Sequence, residues 1–348
     1  MSPYIATLLL LTLGLGTTIT FASSHWLLAW MGLEINTLAI IPLMTQNHHP
    51  RAVEAATKYF LTQATAAAVL LFAATTNAWL TGQWDIQLML HPVPTTMAIL
   101  ALSMKIGLAP LHTWLPEVLQ GLSLTTGLIL STWQKLAPFA LLLQLPLHNQ
   151  PLLTLMALSS TLIGGWGGLN QTHLRKVLAY SSIAHLGWMM LVLQFYPSLT
   201  ALALVTYILM TSATFLALTL SAATTVNALA LSWTTAPLLT AIFPMALLSL
   251  GGLPPLSGFM PKWLILQELT KQSLPLTATL AALAALLSLY FYLRLSYAMA
   301  LTISPNSLSG SASWRYQTKH LLFPLSLFMT CSTLLLPLTP ALSSSISL

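Results

Sequence analysis

Residues 107–117 read Gly-Leu-Ala-Pro-Leu-His-Thr-Trp-Leu-Pro-Glu, and residues 252–262 read Gly-Leu-Pro-Pro-Leu-Ser-Gly-Phe-Met-Pro-Lys. Aligned without gaps, both segments have Gly, Leu, Pro, Leu and Pro at positions one, two, four, five and ten, and an aromatic residue at position eight. Each segment lies within a long apolar stretch, where a proline removes a helical hydrogen bond and clashes with the preceding turn. The sequence therefore predicts two broken helices that belong to a repeat.

The composition is that of a membrane protein. Of the 348 residues, 56% are hydrophobic and 5% are charged, and the mean hydropathy is +0.82. Soluble domains carry roughly 25% charged residues, so a lipid environment is indicated. The apolar stretches are long and unbroken, which favours helices of about 20 residues over barrel strands of about ten. The predicted fold class is an all-α polytopic membrane protein.

Apolar runs separated by Pro, Asn, Gly and charged residues predict about eleven transmembrane helices. Their approximate spans are 3–22, 25–45, 55–80, 95–121, 124–144, 150–170, 176–195, 199–223, 237–269, 275–301 and 321–341. The fourth and ninth spans hold the two proline-containing segments. Because these spans lie an odd number of crossings apart, their units should have opposite orientation, which predicts an inverted five-helix repeat.

We therefore expect one membrane domain over 1–348. Its first repeat half is 1–147, its second half is 148–301, and 302–348 provides a C-terminal helix. Broken helices at matching positions of two halves are typical of transport sites, because freed backbone carbonyls are tolerated where they line a cavity. A pair of packing kinks is the structural alternative.

Positive residues outside the spans predict the orientation. The loops after helices two, six and ten hold Arg51, Arg175, Lys176, Arg315 and Lys319. These loops lie on the same side as the N-terminus, so the N-terminus should face the negative compartment. With eleven crossings, the C-terminus should face the opposite side.

Several other classes of function are disfavoured. The net charge is +6, but the basic residues form no run, which argues against nucleic acid. The single cysteine, Cys331, argues against a thiolate-held cluster or a zinc ribbon. The glycines of 164–168 follow no predicted strand, so we interpret them as a surface for close helix packing rather than a nucleotide fingerprint. The N-terminus lacks the pattern of a signal or transit peptide.

Four ionisable residues of the predicted helices are the candidates for a functional site in the membrane. Glu34 is near the middle of the second, Lys135 is near the middle of the fifth, and Lys105 and Lys262 flank the two breaks. A charged side chain at the bilayer centre costs about 2.5–3.5 kcal/mol on insertion scales. These four groups must therefore be paired, hydrated or both.

Such a set suits proton relay. Apolar surroundings disfavour a charged lysine and a nearby carboxylate favours it, so a Lys–Glu pair that opens and closes can release and regain a proton. One glutamate cannot pair with three lysines, which favours relay over a static ion pair such as Glu34 with Lys105. His112, in the first break, and His185, in the seventh helix, are weaker candidates for proton relay. For each of them, a purely structural hydrogen bond to a backbone carbonyl is the alternative.

The segment 105–117 resembles the broken-helix motif of the antiporter-like subunits of respiratory NADH–quinone oxidoreductase. Residues 251–263 and the segment Ala-Tyr-Ser-Ser-Ile-Ala-His-Leu-Gly-Trp at 179–188 are similar to the same family, and the similarity covers essentially the whole chain. The resemblance implies a proton-pumping subunit of respiratory complex I in the mitochondrial inner membrane. It implies that the N-terminus lies in the matrix and the C-terminus in the intermembrane space.

The resemblance also assigns roles. It implies that Glu34 and Lys105 form the switch of the first half, that Lys135 connects the half-channels, and that Lys262 faces the exit half. It implies that NAD, FMN, iron–sulfur clusters and ubiquinone are bound by other subunits, and that no cofactor is bound by this chain. The implied partners are the other membrane subunits of the complex and membrane lipids.

Two alternatives remain open. A cation/proton antiporter subunit would use the same repeat and the same lysines, whereas a structural scaffold would use the charges only to order its helices. Sodium sites are usually built from carbonyls and carboxylates. Since Glu34 is the one central carboxylate, the sequence favours protons.

Overall fold

The computed structural model describes residues 2–46, 48–89, 91–147, 151–234, 237–301, 322–341 and 344. The described residues form α-helices, short 3₁₀ turns and two isolated bridges. They divide into two compact units, Met1–Met156 and Ala157–Leu348. The loop residues Arg315 and Lys319 lie outside the described residues.

The described part of the first unit contains seven α-helices and the start of an eighth. These are α1 (Pro3–Ala22), α2 (Trp26–Met44), α3 (Pro50–Thr81), α4 (Pro92–Ile106), α5 (Trp114–Gly121), α6 (Leu124–Ser131), α7 (Trp133–Gln144) and α8 (Pro151–Gly168). The second unit continues α8. It adds α9 (Leu174–Val192), α10 (Pro197–Ser221), α11 (Val226–Ala230), α12 (Pro237–Gly251), α13 (Phe259–Lys271), α14 (Pro275–Ala300) and α15 (Leu322–Leu334).

Five of the described helices, α1, α2, α3, α10 and α14, are individually long and apolar enough to cross a membrane. The shorter apolar helices are α4, α12 and α15. Each of the eleven predicted spans contains at least one helix, and α1 has the predicted bounds. The structure therefore confirms an all-α membrane fold.

Both predicted helix breaks are confirmed. The helix α4 ends at Ile106 and α5 begins at Trp114, while α12 ends before Gly252 and α13 begins at Phe259. Gly107 and Gly252 have φ angles of 87° and 81°, in the left-handed region that glycine adopts without a steric penalty at helix C-termini. The repeated glycine thus ends the first helix of each pair.

Two details of the prediction were wrong. The fifth span is not one helix, because the helix is interrupted at Thr132 between α6 and α7. At Thr132 φ is −111° and ψ is −67°, and its backbone N–H is shared between the carbonyls of Ile129 and Leu128. The short helix α11 was not predicted, since a five-residue helix leaves no periodic pattern to detect.

The two units share one further feature. In the first, two backbone hydrogen bonds of 3.0–3.1 Å join residues 24–26, after α1, to residues 84–86, after α3. In the second, two bonds of 3.1 Å join residues 172–174, after α8, to residues 224–226, after α10. Each unit therefore ties the loop after its first helix to the loop after its third.

The glycines of α8 provide close helix packing, as the sequence predicted. A Cβ atom at Gly164 would lie 2.6 Å from the Ala184 backbone nitrogen, and one at Gly167 would overlap the Tyr180 ring. Both partners belong to α9, a helix whose residues from Ser181 to Val192 are all buried. Small residues permit this approach of two helices in a membrane.

We expect Gly164→Ala to destabilise the protein by about 1–3 kcal/mol, the usual cost of overpacking. The added methyl would meet the backbone of α9, which cannot turn aside as a side chain can. The measurement is the thermal stability of the assembled complex, with Gly14→Ala as the control, because no atom lies within 4 Å of the Cβ position at Gly14. Equal stability of the two variants would contradict the packing role of Gly164.

Candidate functional site

Glu34 and Lys105 form an ion pair within the first unit. Lys105 Nζ lies 3.7 Å from Glu34 Oε1, and the exposed fractions of the two side chains are 1% and 23%. The Thr37 hydroxyl, one turn further along α2, lies 3.3 Å from Glu34 Oε2. A separation of 3.7 Å is attractive but is longer than a hydrogen bond. The two charged groups are therefore close enough to attract each other, but no hydrogen bond joins them.

The C-terminal end of α4 is capped by neutral donors. Trp114 Nε1 donates to the Met104 carbonyl over 3.1 Å, and Gln63 Nε2 donates to the Lys105 carbonyl over 3.4 Å. Helix ends leave carbonyls without helical partners, which other groups must satisfy. Because Trp114 and Gln63 supply these donors, the Lys105 ammonium is left to face Glu34.

Lys105 and Lys135 line the same cavity of the first unit. Lys135 lies in the first turn of α7 and is 2% exposed. The cavity volume is about 20 Å³, which is room for about one water molecule. Its other polar wall residues are Asn36, Thr37, Tyr59, Gln63, Trp114 and Gln134. The two lysines therefore share a polar space in which a water can be hydrogen-bonded.

Lys262 occupies a different setting in the second unit. Its side chain extends back across the break, and Nζ donates to the Gly251 carbonyl at the end of α12 over 2.8 Å. Lys262 also lines a cavity of about 10 Å³ together with His185 and Thr206. A volume of this size is at the lower limit for one water.

The two candidate histidines are placed differently. His185 is 9% exposed, lies in α9 with its ring centroid 5.6 Å from that of Tyr207, and lines the Lys262 cavity. His112 is half-buried, and its Nδ1 lies 3.3 Å from the Pro110 carbonyl. The walls of the two cavities do not include His112. His185 thus lines a cavity together with one of the lysines, whereas His112 lies outside the walls of these two cavities.

Sequence reasoning missed some of the polar groups around these lysines. Gln63 and Gln134 are neutral, so their positions in apolar helices gave no signal of charge.

Arg294 is a charged residue within an apolar helix, α14, and was therefore visible in the sequence. Arg294 donates to the carbonyls of Leu169 and Gln171, just beyond the end of α8. Its role in the structure is to anchor that loop.

Comparison with known proteins extends this description. Residues 23–288 match the family model described as NADH:quinone oxidoreductase/Mrp antiporter, TM, and residues 289–343 match that of the NADH dehydrogenase subunit 2 C-terminus. The chain is 71% identical over 342 residues to NADH-ubiquinone oxidoreductase chain 2 of Tetraodon nigroviridis, covering 98% of each chain. It is 67% identical over 349 residues to the chain 2 of Salmo salar, covering 100% of each.

A solved structure is similar as well. The chain superposes with a TM-score of 0.81 and 31% identity on a chain of respiratory complex I from Thermus thermophilus, solved with bound aureothin. The match covers 97% of this chain and 80% of that one. The paired broken helices and buried lysines, with these matches, define an antiporter-like membrane subunit. The chain belongs to the NADH-ubiquinone oxidoreductase chain 2 family.

Proposed function

We propose that this chain is a proton-translocating membrane subunit of respiratory NADH:ubiquinone oxidoreductase. It takes part in that enzyme as one subunit, coupled to electron transfer in others. Membership of the chain 2 family supports the assignment. The observation that carries the mechanism is the buried, loosely held Glu34–Lys105 pair beside the cavity of Lys135.

The relay follows from the electrostatics of buried amines. While Glu34 is near, Lys105 holds its proton, because the carboxylate stabilises the ammonium form. When the pair opens, an ammonium in apolar surroundings is unfavourable, and the proton can leave through the cavity towards Lys135. Lys262 performs the corresponding step in the second unit, with His185 as a neighbour able to accept a proton. His112 is a further relay candidate at the first break.

The setting of the subunit belongs to the same proposal. The vertebrate relatives support a place in the mitochondrial inner membrane, and the positions of Lys and Arg favour a matrix N-terminus and an intermembrane-space C-terminus. Other membrane subunits and lipids are the partners. NAD, FMN, iron–sulfur clusters and ubiquinone are held by other subunits, in keeping with a chain that has one cysteine. The repeat halves are 1–147 and 148–301, followed by the C-terminal region 302–348.

A cation/proton antiporter subunit is the second candidate, because the family model that matches 23–288 includes Mrp antiporters. The two candidates differ in the ion that moves. Proton movement that follows electron transfer and is indifferent to sodium supports the first. Sodium movement lost together with the buried lysines supports the second.

We expect Lys262→Met to lower proton transfer through this subunit by about 100-fold, the scale of losing a positioned proton-transfer group. Methionine has a similar length and apolar character, so it removes the titrating amine with little change in volume. The measurement is the number of protons translocated per electron in membrane vesicles that contain the assembled complex. The control is Lys271→Met, since Lys271 lies on the same helix with its side chain 61% exposed. Unchanged assembly, electron transfer and proton translocation in Lys262→Met would contradict the proposed function.

A further inference from the structure

The ends of α4 and α12 are capped by different groups. In the repeat alignment, Trp114 corresponds to Phe259, and Phe259 has no N–H group to donate. The indole of Trp114 caps a carbonyl of α4, whereas the last carbonyl of α12, that of Gly251, accepts from Lys262 Nζ. The amine therefore supplies in the second unit a cap that neutral side chains supply in the first.

The second unit also offers Lys262 almost no negative charge. Residues 157–348 contain a single acidic residue, Glu268, and its carboxylate lies 3.6 Å from Lys271. The C-terminal end of a helix, however, carries a partial negative charge of roughly half a unit, located on its terminal carbonyls. The Gly251 carbonyl is thus to Lys262 what the Glu34 carboxylate is to Lys105: the nearby group of negative charge.

Gly252 allows the amine to reach this carbonyl. Its φ angle is 81°, and a Cβ atom at this position would lie 2.9 Å from both Cδ and Nζ of Lys262. Such a distance is too short for any real Cβ contact. The absence of a side chain at Gly252 therefore serves both the turn and the position of the amine.

We propose that the Gly251 carbonyl at the end of α12 is the group that holds the proton on Lys262, and that Gly252 is the positioning residue for this contact. The inference rests on the proposed relay and deepens it. A charged donor on the carbonyl is favoured over a neutral one by its hydrogen bond and by the helix dipole. When the amine moves away from the carbonyl into the cavity shared with His185, it loses the hydrogen bond and the interaction with the helix dipole. The proton can then be released.

The first test is Gly252→Ala in the assembled complex. A hydrogen bond to a charged group favours the protonated lysine by about tenfold or more. Displacing the amine should therefore move the alkaline limb of the pH profile of proton translocation about one pH unit lower. The control is Gly82→Ala, because Gly82 has a φ angle of 71° and no atom within 4 Å of its Cβ position. It introduces a similar backbone strain where the added Cβ meets no other group, and its pH profile should match the wild type.

The second test does not depend on Gly252. Lys262→Arg keeps a charged donor for the carbonyl but cannot lose its proton, whereas Lys262→Met removes the donor. Hydrogen exchange of the backbone amides of residues 252, 253 and 256–259 should be faster in Lys262→Met than in Lys262→Arg, which should resemble the wild type. Equal exchange in the two variants would overturn the capping role, even where Gly252→Ala does not assemble.

The outcomes separate the two levels of the argument. Normal proton translocation in Lys262→Met would refute the proposed function itself. Lost translocation in Lys262→Met, with a wild-type pH profile in Gly252→Ala, would leave the function standing and refute only the role of Gly251 and Gly252. Lost translocation together with the shifted profile supports both.

Discussion

Lys105→Met should reduce proton transfer through the first unit by about 100-fold while the subunit still assembles. The Lys105 side chain is 1% exposed and 3.7 Å from a carboxylate, and it shares its cavity with Lys135. Methionine fills nearly the same volume without an exchangeable proton. Glu34 is the less buried partner at 23% exposure and keeps the Thr37 hydroxyl beside it, so we expect the carboxylate left behind to cost less than a stranded lysine. Protons translocated per electron, measured in membrane vesicles, report the effect.

The matched control for this prediction is Lys58→Met. Lys58 belongs to the same unit, but its side chain is 43% exposed and lies 2.8 Å from both Glu54 and Glu117. Exposed ion pairs contribute little, since water screens them. Lys58→Met should therefore translocate protons as the wild type does. An equal loss in both variants would mean that the charge of the unit, and not the position of Lys105, matters.

The broken helices were predictable because their cause is local. A glycine in the left-handed conformation favours the end of a helix, and a proline shortly after it disfavours continuation; the repeat of these two residues at 107–110 and 252–255 indicated both breaks. The buried lysines were predictable for the same reason, because a lysine within an apolar run can be recognised in the sequence whatever its partner is. The interruption at Thr132 was not, because no glycine or proline stands at or beside that position.

The partners of the charges were less predictable. The family resemblance implied that Glu34 is the partner of Lys105, and the structure places the two 3.7 Å apart. For Lys262 the acceptor is a backbone carbonyl, which every residue possesses and no composition reveals. The alignment did show Lys262 opposite Glu117 and Lys105 opposite Leu250. It therefore indicated that the two lysines have different surroundings, but not which atoms provide them.

Glu34→Gln should be more damaging to stability than Lys105→Met, although both remove one member of the same pair. The glutamine keeps the size of the side chain but leaves Lys105, at 1% exposure, without its carboxylate. Removing one partner of a buried ion pair costs about 3–5 kcal/mol, and less where the stranded group becomes neutral. The variant should assemble with a lower thermal stability, and its proton translocation should fall because nothing now restores the proton to Lys105.

The double variant Glu34→Gln with Lys105→Met tests whether the two residues act as one pair. It leaves neither member of the pair without its partner, so it should be more thermally stable than Glu34→Gln alone while remaining inactive in proton translocation. Two contacting residues show such non-additivity when they interact directly. Glu54→Gln is the control, since that carboxylate is 62% exposed and pairs with Lys58 at the surface, and it should add independently to Lys105→Met. If the effects of Glu34→Gln and Lys105→Met also proved additive, Glu34 and Lys105 would not act as one switch, and the first-unit relay would have to depend on Lys135 and its cavity alone.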